Sequence, residues 1–419
     1  MKHLHSLLLA CCIACLDVSA QTGRINYDEA KVPDYDLPQL LVSNSGKKIR
    51  TTSDWENVRR PEIMSYFQEM MYGMTPEETI DTGYGILAED KEALGGKATF
   101  RQVLFTFGNG ERKVEAILLL VLPNKAEGKV PVIVSYNFNG NHSTCMDENI
   151  LYPPIFGKLK DEDSYTWKRG NQISRWPLEM IIDRGYAVAT MCYHDICPDR
   201  ADMRRYSVAS LFKDYEEKMR DHNEWGAIGM WAWGYSRIAD YLETEESIDT
   251  GRMAVMGHSR QGKAALWAGA QDDRFKVVIS NDSGCCGAAL SKRVLGENLA
   301  YITHTFGYWF CPGLGRYAGD EEALPFDQHM LLAAIAPRHL YVASAEEDRW
   351  ADPYGEYLAA YHAGEVYRLY GLKPLASKDM PKVNSPVHND IGYHIRTGKH
   401  DVTTYDWECY LDFCDSHMK

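Results

Sequence analysis

One stretch of the chain carries the residue types of an activated serine nucleophile. Residues 257–263 read Gly-His-Ser-Arg-Gln-Gly-Lys, so Ser259 stands close to two glycines and directly before a basic residue. The apolar run 253–256 enters this stretch and the helix-forming run 263–270 leaves it. This pattern predicts a strand, a sharp turn with the serine at its apex, and a helix. A serine hydroxyl is a weak nucleophile, so the turn implies chemistry only if a histidine and a carboxylate can reach it.

A strand, turn and helix around a serine are typical of the nucleophile elbow of α/β-hydrolases, in which the serine, the acid and the histidine follow in that order along the chain. The histidine is therefore expected after the last strand and before the final helix. His400 directly precedes the predicted terminal helix 404–417 and is the predicted general base. His394 and His388 lie in the same part of the chain and remain alternatives.

Two aspartates compete to orient the imidazole of His400. Asp348 follows a predicted strand, 339–345, where α/β-hydrolases usually carry the acid. Asp282 ends the strand before it and is the alternative acid. Either carboxylate would hold the histidine tautomer that accepts the serine proton and would stabilise the imidazolium. The usual order of the triad favours Asp348.

Two basic residues of the same stretch are predicted to serve the reaction. The backbone N–H of Arg260 lies directly after the nucleophile, where this fold places one oxyanion donor, and its guanidinium would add a fixed positive charge. Lys263 lies one helical turn after Ser259 and is expected over the same cleft. The spacing alone fits a solvated helix face for Lys263 equally well.

The elements around these residues predict an α/β fold with a mostly parallel central sheet sandwiched by helices. The sheet is expected to begin with a hairpin, and strands and helices then alternate. Predicted strands are 101–107, 114–122, 130–136, 187–192, 276–280, 339–345 and 366–369, and predicted helices are 60–71, 176–184, 225–242, 352–362 and 404–417.

The chain after residue 20 is predicted to be a single catalytic domain, 21–419, because no repeat or internal linker interrupts it. Residues 21–60 are polar and are expected to wrap the surface of the domain. Residues 142–175 lack periodicity, and a long irregular segment is often functional, so a rim insertion near the active site is predicted there. Its candidate contact residues, which also fit local packing, are Tyr165, Trp167 and Arg175.

Residues 1–20 are predicted to be a signal peptide. Lys2 opens a short polar start, 7–16 is an apolar run, and Val-Ser-Ala at 18–20 resembles a signal-peptidase site. Export across the inner membrane follows, to a periplasmic or extracellular location. Acylation of Cys15 would instead make a lipoprotein. The apolar run is too short to span a bilayer, and no transmembrane segment is expected.

Charge and cysteine content limit the partners. The net charge of −14 argues against a nucleic-acid partner. Eleven cysteines include three within residues 1–20, so eight remain, and none shows zinc-ligand spacing with histidine. No metal or cofactor is predicted, and free buried thiols are the favoured interpretation. The alternative disulfides are Cys285 or Cys286 with Cys311, Cys192 with Cys197, and Cys409 with Cys414.

These motifs together resemble the glucuronoyl esterases, carbohydrate esterase family fifteen, and its bacterial members in particular. The elbow matches that family's Gly-x-Ser-Arg-x-Gly motif, which accounts for Gln261 where the general α/β-hydrolase pentapeptide has glycine. The stretches that carry the resemblance are 257–263, 281–284, 287–293, 296–297, 309–312, 324–329, 347–353, 392–394 and 398–400.

The resemblance implies a serine esterase without a cofactor. Its substrate would be the ester between a (4-O-methyl-)glucuronic acid of xylan and an alcohol of lignin, cleaved through an acyl-enzyme. In the family pattern Ser259 matches the nucleophile, His400 the base and Arg260 the oxyanion arginine. The residues that match the uronate-binding positions are Lys263, Glu297 and Trp350.

The family pattern does not decide which aspartate is the acid of the triad. Fungal members carry a glutamate at the position of Asp282, whereas many bacterial members use an aspartate at the position of Asp348, and this chain has a carboxylate at both. Two other functions fit the same residues: a different carbohydrate esterase, such as an acetyl-xylan esterase, and a catalytically inert polysaccharide-binding protein. An intact nucleophile and base argue against the inert binder. No oligomeric state is predicted.

Overall fold

The computed structural model describes residues 25–109, 111–161, 166–212, 215 and 221–419. The predicted signal peptide, 1–20, and the candidate contact residue Tyr165 lie outside these described residues.

One mixed sheet forms the centre of the described chain. Its strands are β1 (Asp81–Glu92), β2 (Ala98–Asn109), β3 (Arg112–Pro123), β4 (Val130–Asn137), β5 (Ala187–Cys192), β6 (Ile248–His258), β7 (Phe275–Asn281), β8 (His339–Ala345), β9 (Val387–His388) and β10 (Ile391–Arg396). Their order across the sheet is β1-β2-β3-β5-β4-β6-β7-β8-β10-β9. From β5 to β10 every neighbouring pair is parallel, while β1, β2 and β3 form an antiparallel edge. The prediction of a mostly parallel sheet is confirmed.

Helices cover both faces of the sheet. The longer ones are α1 (Arg60–Met70), α2 (Leu178–Asp183), α3 (Ala227–Leu242), α4 (Arg260–Gln271), α5 (Leu299–Thr305), α6 (Gln328–Ala333), α7 (Pro353–Leu369) and α8 (Thr404–Met418). Alternate residues of a buried strand serve opposite faces. In β4, Val132 and Val134 join the core under α3 and α4, whereas Ile133 joins the core under α2 and α8. This double burial explains the continuous apolar run in β4.

Two local predictions are wrong. Residues 366–369, predicted as a strand, form the end of α7, where Val366 and Tyr367 are buried on the same helix face as Ala363. Four residues are too few to separate the two periodicities. The loop expected between the last predicted strand and the final helix, where the triad histidine was sought, contains a strand: residues 391–396 form β10 and are buried throughout.

The segment before α1 runs along the outside of the domain and is tied down at intervals. The backbone N–H of Gly296 donates to the carbonyl of Asn26 (2.8 Å), and the carboxylate of Glu29 forms an ion pair with Arg293 (2.8 Å). In the predicted rim insertion, Trp167 packs locally, and its indole N–H donates to the Leu159 carbonyl (3.3 Å).

The eight cysteines of the described chain are free and buried, so the favoured interpretation is confirmed and the alternative disulfides are wrong. Among the described residues no helix has both the length and the apolar character needed to cross a bilayer.

Candidate active site

Ser259 lies at a strained turn between β6 and α4. Because β6 ends at His258 and α4 begins at Arg260, Ser259 is the single residue between the two elements. Its backbone has φ 57° and ψ −129°, a conformation that costs energy in a residue with a side chain. The turn leaves no room beside Gly257, because a Cβ there would lie 1.9 Å from the carbonyl oxygen of Gln261. The Ser259 N–H donates to the Asn281 carbonyl of the neighbouring strand (2.8 Å), which holds the turn against the sheet.

The serine faces a cavity of about 450 Å³ beyond the carboxyl ends of the parallel strands. Ligand sites of open α/β sheets lie at this edge. The cavity wall includes all eight residues that were predicted for the triad, the oxyanion and the uronate-binding positions, namely Ser259, Arg260, Lys263, Asp282, Glu297, Asp348, Trp350 and His400. The described parts of the predicted rim insertion, 142–161 and 166–175, contribute nothing to this wall. Its aromatic members include three that the sequence analysis missed, Tyr301, Phe306 and Trp309.

His400 pairs with Asp348. The Nδ1 atom lies 2.6 Å from Oδ2 of Asp348, and because an ionised carboxylate only accepts, Nδ1 carries the hydrogen. This leaves Nε2 with a lone pair, the state that a general base needs. The His400 side chain is 41% exposed, whereas that of Asp348 is 5% exposed. The imidazole is therefore accessible to substrate while its carboxylate is shielded.

Asp282 stands behind this pair and has a different environment. Neither carboxylate oxygen has a hydrogen-bond partner, and the nearest cation, Nη2 of Arg396, is 3.7 Å away. Burial raises the pKa of the Asp282 carboxyl well above its usual range, and the neighbouring carboxyls of Glu356 and Asp348 add to the effect. A raised pKa makes a carboxyl less ready to carry the negative charge that stabilises an imidazolium. The geometry thus favours Asp348 as the partner of His400.

The loop that carries His400 is held from beneath by Arg396, at the end of β10. Its Nη2 donates to the carbonyls of Lys399 (3.0 Å) and Asp401 (2.6 Å), on either side of the histidine. Its Nε donates to Oδ2 of Asp406 in the first turn of α8 (2.7 Å). The sequence analysis missed this residue. A charged residue at the end of a buried strand, just before the base, is the signal that could have found it.

The alternative histidines have other contacts. His394 is fully buried in β10, with Nε2 2.9 Å from Oδ1 of Asp406 and Nδ1 3.0 Å from the Tyr341 hydroxyl. His388 lies in β9, where its ring packs near Tyr341 (5.8 Å between centroids). Neither residue lines the cavity of Ser259.

The guanidinium of Arg260 is fixed by a buried aspartate that the sequence analysis missed. It forms an ion pair with Asp199 and lies 4.9 Å from the centre of the Trp309 ring. Burial alone would raise the pKa of Asp199, but Arg260, Trp309 and Tyr308 outweigh it and hold the pKa below its usual range. The cation is consequently held over the cavity by a charged partner. Asp199 follows β5 after Cys-Pro, and an acid after a buried strand was the available signal.

Lys263 and Glu297 form a buried polar wall beside the serine. The Lys263 ammonium donates to the carbonyls of Ser283 (2.6 Å) and Cys285 (2.5 Å) and lies 3.6 Å from the Glu297 carboxylate. The solvated-face alternative for Lys263 is wrong, because the residue is only 3% exposed. The Glu297 N–H donates to the Trp350 carbonyl (2.8 Å), which links two predicted substrate-binding residues.

Comparisons with known proteins agree with this geometry. A family model described as glucuronyl esterase, fungi, matches residues 173–371. A carbohydrate esterase from an unknown prokaryotic organism is 42% identical over 411 residues, which cover 96% of this chain and 94% of that protein. The chain belongs to the glucuronoyl esterases, carbohydrate esterase family fifteen. The resemblance seen in the motifs is confirmed.

Solved structures of this family superpose on nearly the whole chain. A promiscuous family-fifteen esterase from a marine bacterial metagenome is 41% identical, with a TM-score of 0.86 over 94% of this chain and 100% of that one. A glucuronoyl esterase from Solibacter usitatus is 40% identical, with a TM-score of 0.84 over 93% and 100%. The α/β-hydrolase fold is confirmed, and the protein is a carboxylic ester hydrolase.

Proposed function

We propose that the protein hydrolyses the ester between a xylan-borne (4-O-methyl-)glucuronic acid and a lignin-type alcohol. The observation that carries this substrate class is the buried Lys263–Glu297 pair in the wall of the cavity of Ser259. A cation donor and a carboxylate acceptor fixed side by side match the hydroxyl groups of a sugar ring. Family members named for glucuronoyl ester hydrolysis, among them the enzyme from Solibacter usitatus, support the assignment.

Acylation begins with proton transfer. Nε2 of His400 takes the proton of the Ser259 hydroxyl, and Oγ attacks the uronoyl carbonyl. The tetrahedral oxyanion would be stabilised by the Arg260 N–H and guanidinium, whose position is set by Asp199 before substrate arrives. Asp348 stabilises the imidazolium that forms. These charges need no rearrangement during the step.

Acylation ends when the His400 imidazolium gives its proton to the departing alcohol, which leaves a uronoyl ester on Ser259. Deacylation then repeats the same proton movements with water in place of the serine hydroxyl. Nε2 then takes a proton from water, the resulting hydroxide attacks the acyl carbon, and the proton returns to Ser259 as the uronate is released. Each cycle consumes one water and yields one acid and one alcohol.

The same wall discriminates against acetyl esters. An acetyl group offers no hydroxyl to Lys263 and Glu297, so neither residue gains a hydrogen bond from it, and sites built for a polar substrate reject analogues that lack the polar group. Trp350 would add an apolar surface beside the ring. An acetyl-xylan esterase does not need Lys263, Glu297 and Trp350 for its substrate, so hydrolysis of acetyl esters is the second candidate function.

The test compares two substrates and one matched variant. We expect kcat/KM for benzyl glucuronate to exceed that for an acetylated xylan by about 10²-fold or more, the scale set by a missing polar partner. Glu297→Gln should lower turnover of the glucuronate ester and leave turnover of a simple acetate ester unchanged. Faster hydrolysis of acetyl groups, with no effect of Glu297→Gln, would assign the acetyl function. If the protein hydrolyses neither ester, the remaining function is that of a catalytically inert polysaccharide-binding protein.

We also infer that the protein is exported to the periplasm or the medium as one catalytic domain, 21–419. The polar start, apolar run and Val-Ser-Ala site within residues 1–20 support cleavage before Gln21. N-terminal sequencing of the exported protein tests this. A chain that begins at Cys15 and carries lipid would contradict the soluble form.

A further inference from the structure

We propose that His339, Asp390 and His417 form a binding site for a zinc-type divalent cation. The three residues come from the start of β8, the turn before β10 and the C-terminal end of α8. Each offers one ligand atom, and these atoms all lie within 4.8 Å of one another. Two imidazoles and a carboxylate are a usual protein ligand set for Zn²⁺, with water in the fourth position.

Asp390 is held in place for such a role. Its Oδ2 accepts the backbone N–H of Lys373 (2.7 Å), and its backbone carbonyl accepts the N–H of Leu340 (3.2 Å). Its Oδ1 faces Nδ1 of His339 at 3.2 Å. This contact brings one imidazole nitrogen and one carboxylate oxygen together, as two neighbouring ligands of one cation must be.

His417 adds the third ligand beside His339. Its ring stacks on that of His339, with centroids 4.0 Å apart and planes at 25°. Its Nε2 lies 3.2 Å from the carbonyl oxygen of Asn389. Since a carbonyl only accepts, Nε2 carries the hydrogen and Nδ1 keeps its lone pair. A metal-bound histidine commonly donates its other N–H to a carbonyl in this way, which fixes its tautomer and orientation.

Cation binding requires the side chains to rotate. Ligand bonds of about 2.1 Å in a tetrahedron place neighbouring ligand atoms about 3.4 Å apart. The three ligand atoms lie within 4.8 Å of one another, and the stacked imidazoles of His339 and His417 have to swing apart before both lone pairs point at one cation. The three elements that meet here are the sheet and the last helix, so a bound cation would fasten the end of α8 to β8.

The site is remote from the chemistry. His339 begins β8 and Asp348 follows its end, and seven residues of strand span about 23 Å. The cation would act on stability and not on ester hydrolysis. A second cluster that could bind a cation lies in the active site itself, Asp282, Asp348 and His400, and the experiment has to separate the two.

Calorimetric titration of chelator-treated protein with Zn²⁺ separates them. We expect one Zn²⁺ per chain in the parent and in His400→Ala, and at least about 10-fold weaker binding in His339→Ala, Asp390→Asn and His417→Ala. His222→Ala, at an exposed histidine outside the cluster, is the matched control and should bind as the parent does.

Thermal unfolding gives a second readout that does not depend on activity. Zn²⁺ should raise the Tm of the parent and of His400→Ala, and leave that of His417→Ala unchanged. The proposal is overturned if the parent binds no Zn²⁺, or if binding disappears in His400→Ala and survives in His417→Ala. Should His339→Ala fail to fold, Asp390→Asn and His417→Ala decide the matter.

Discussion

The two halves of the active site are built in different ways. The nucleophile half is local: Ser259, Arg260 and Lys263 belong to one continuous strand, turn and helix. The base half is assembled from distant loops, because His400 and its partner Asp348 are 52 positions apart. Backbone sterics dictate the first half, whereas hydrogen bonds between separate elements position the second.

This difference has a practical consequence. A substitution in the nucleophile half acts directly on a group that reacts or touches the substrate. A substitution in the base half can leave every reacting group in place and still move the imidazole, and misplacement of about 1 Å is costly in catalysis. The two halves should therefore differ in whether a conservative substitution away from the reacting groups lowers kcat.

Ser259→Ala is expected to have the largest effect. Removal of the nucleophile should lower kcat by about 10⁵-fold or more, since the remaining groups cannot form an acyl-enzyme. Initial rates on a glucuronate ester measure this, with circular dichroism to verify folding. A variant that keeps its turnover would disprove the nucleophile assignment for any ester substrate.

Substitution of the aspartate that orients His400 should have the next largest effect on kcat. Asp348→Asn should lower kcat by about 10³- to 10⁴-fold, because an amide can stabilise the wrong histidine tautomer and carries no charge. Asp282→Asn should cost less than about 10-fold, since a carboxyl with a raised pKa resembles an amide already. The measurement is kcat for both variants beside the parent. Equal losses would show that both aspartates act on His400.

The role of the Arg260 guanidinium in stabilising the oxyanion can be tested at Arg260 itself and at Asp199, which holds the guanidinium. Arg260→Ala should lower kcat by about 10²- to 10³-fold, the usual cost of losing an oxyanion donor. Asp199→Asn keeps the arginine but loosens it, so a smaller loss is expected, mainly in kcat. If Asp199→Asn changes KM alone, the ion pair serves ground-state binding instead.

The sequence predicted the local half more fully than the distant half. The elbow follows from the spacing of glycine, serine and apolar residues, and Ser259 lies where the pattern indicates. His400 was found by its order along the chain and by the family motif, whereas Arg396 and Asp199, which hold the reacting groups, were missed. Asp199 acts on a residue 61 positions away, and Arg396 acts through two loop carbonyls and Asp406. Such contacts leave no periodic signal.

The two secondary-structure errors also come from tertiary contacts. Residues 391–396 were expected to be loop because the triad histidine was sought between the last strand and the final helix. They instead form β10, which is buried beside β8, and Asp406 binds both His394 and Arg396. Residues 366–369 contain a β-branched residue and an aromatic residue and were predicted as strand, but packing of α7 decides their state.

Arg396→Lys tests the distant half directly. A lysine keeps the charge but cannot bond to both carbonyls and Asp406 at once. We expect kcat to fall by about 10-fold with KM unchanged, since the imidazole shifts while the substrate wall stays intact. The matched variant Lys263→Arg, in the local half, should raise KM instead. If Arg396→Lys loses only stability and keeps kcat, the loop does not need this clamp.

Substitution of Glu356 should have the smallest effect, on stability and not on catalysis. Glu356 is fully buried, and its carboxyl accepts the N–H of Gly284 (2.9 Å) and the hydroxyl of Ser344 (2.6 Å). Burial raises its pKa from the usual 4.5 to about 8. The unfolded chain therefore releases this proton at lower pH than the folded protein does. The contribution to stability is complete below about pH 4.5 and is lost as the pH rises to about 8.

Glu356→Gln isolates this contribution, because an amide does not titrate and fits the same hydrogen bonds. The free energy of unfolding, measured by urea denaturation from pH 5 to 8, should fall less steeply with pH in Glu356→Gln than in the parent. Parallel curves would mean that Glu356 is ionised in the folded protein and held by the Gly284 N–H and the Ser344 hydroxyl. In that case the full negative charge of Glu356 would act on the neighbouring carboxyl of Asp282 and help to keep its pKa raised.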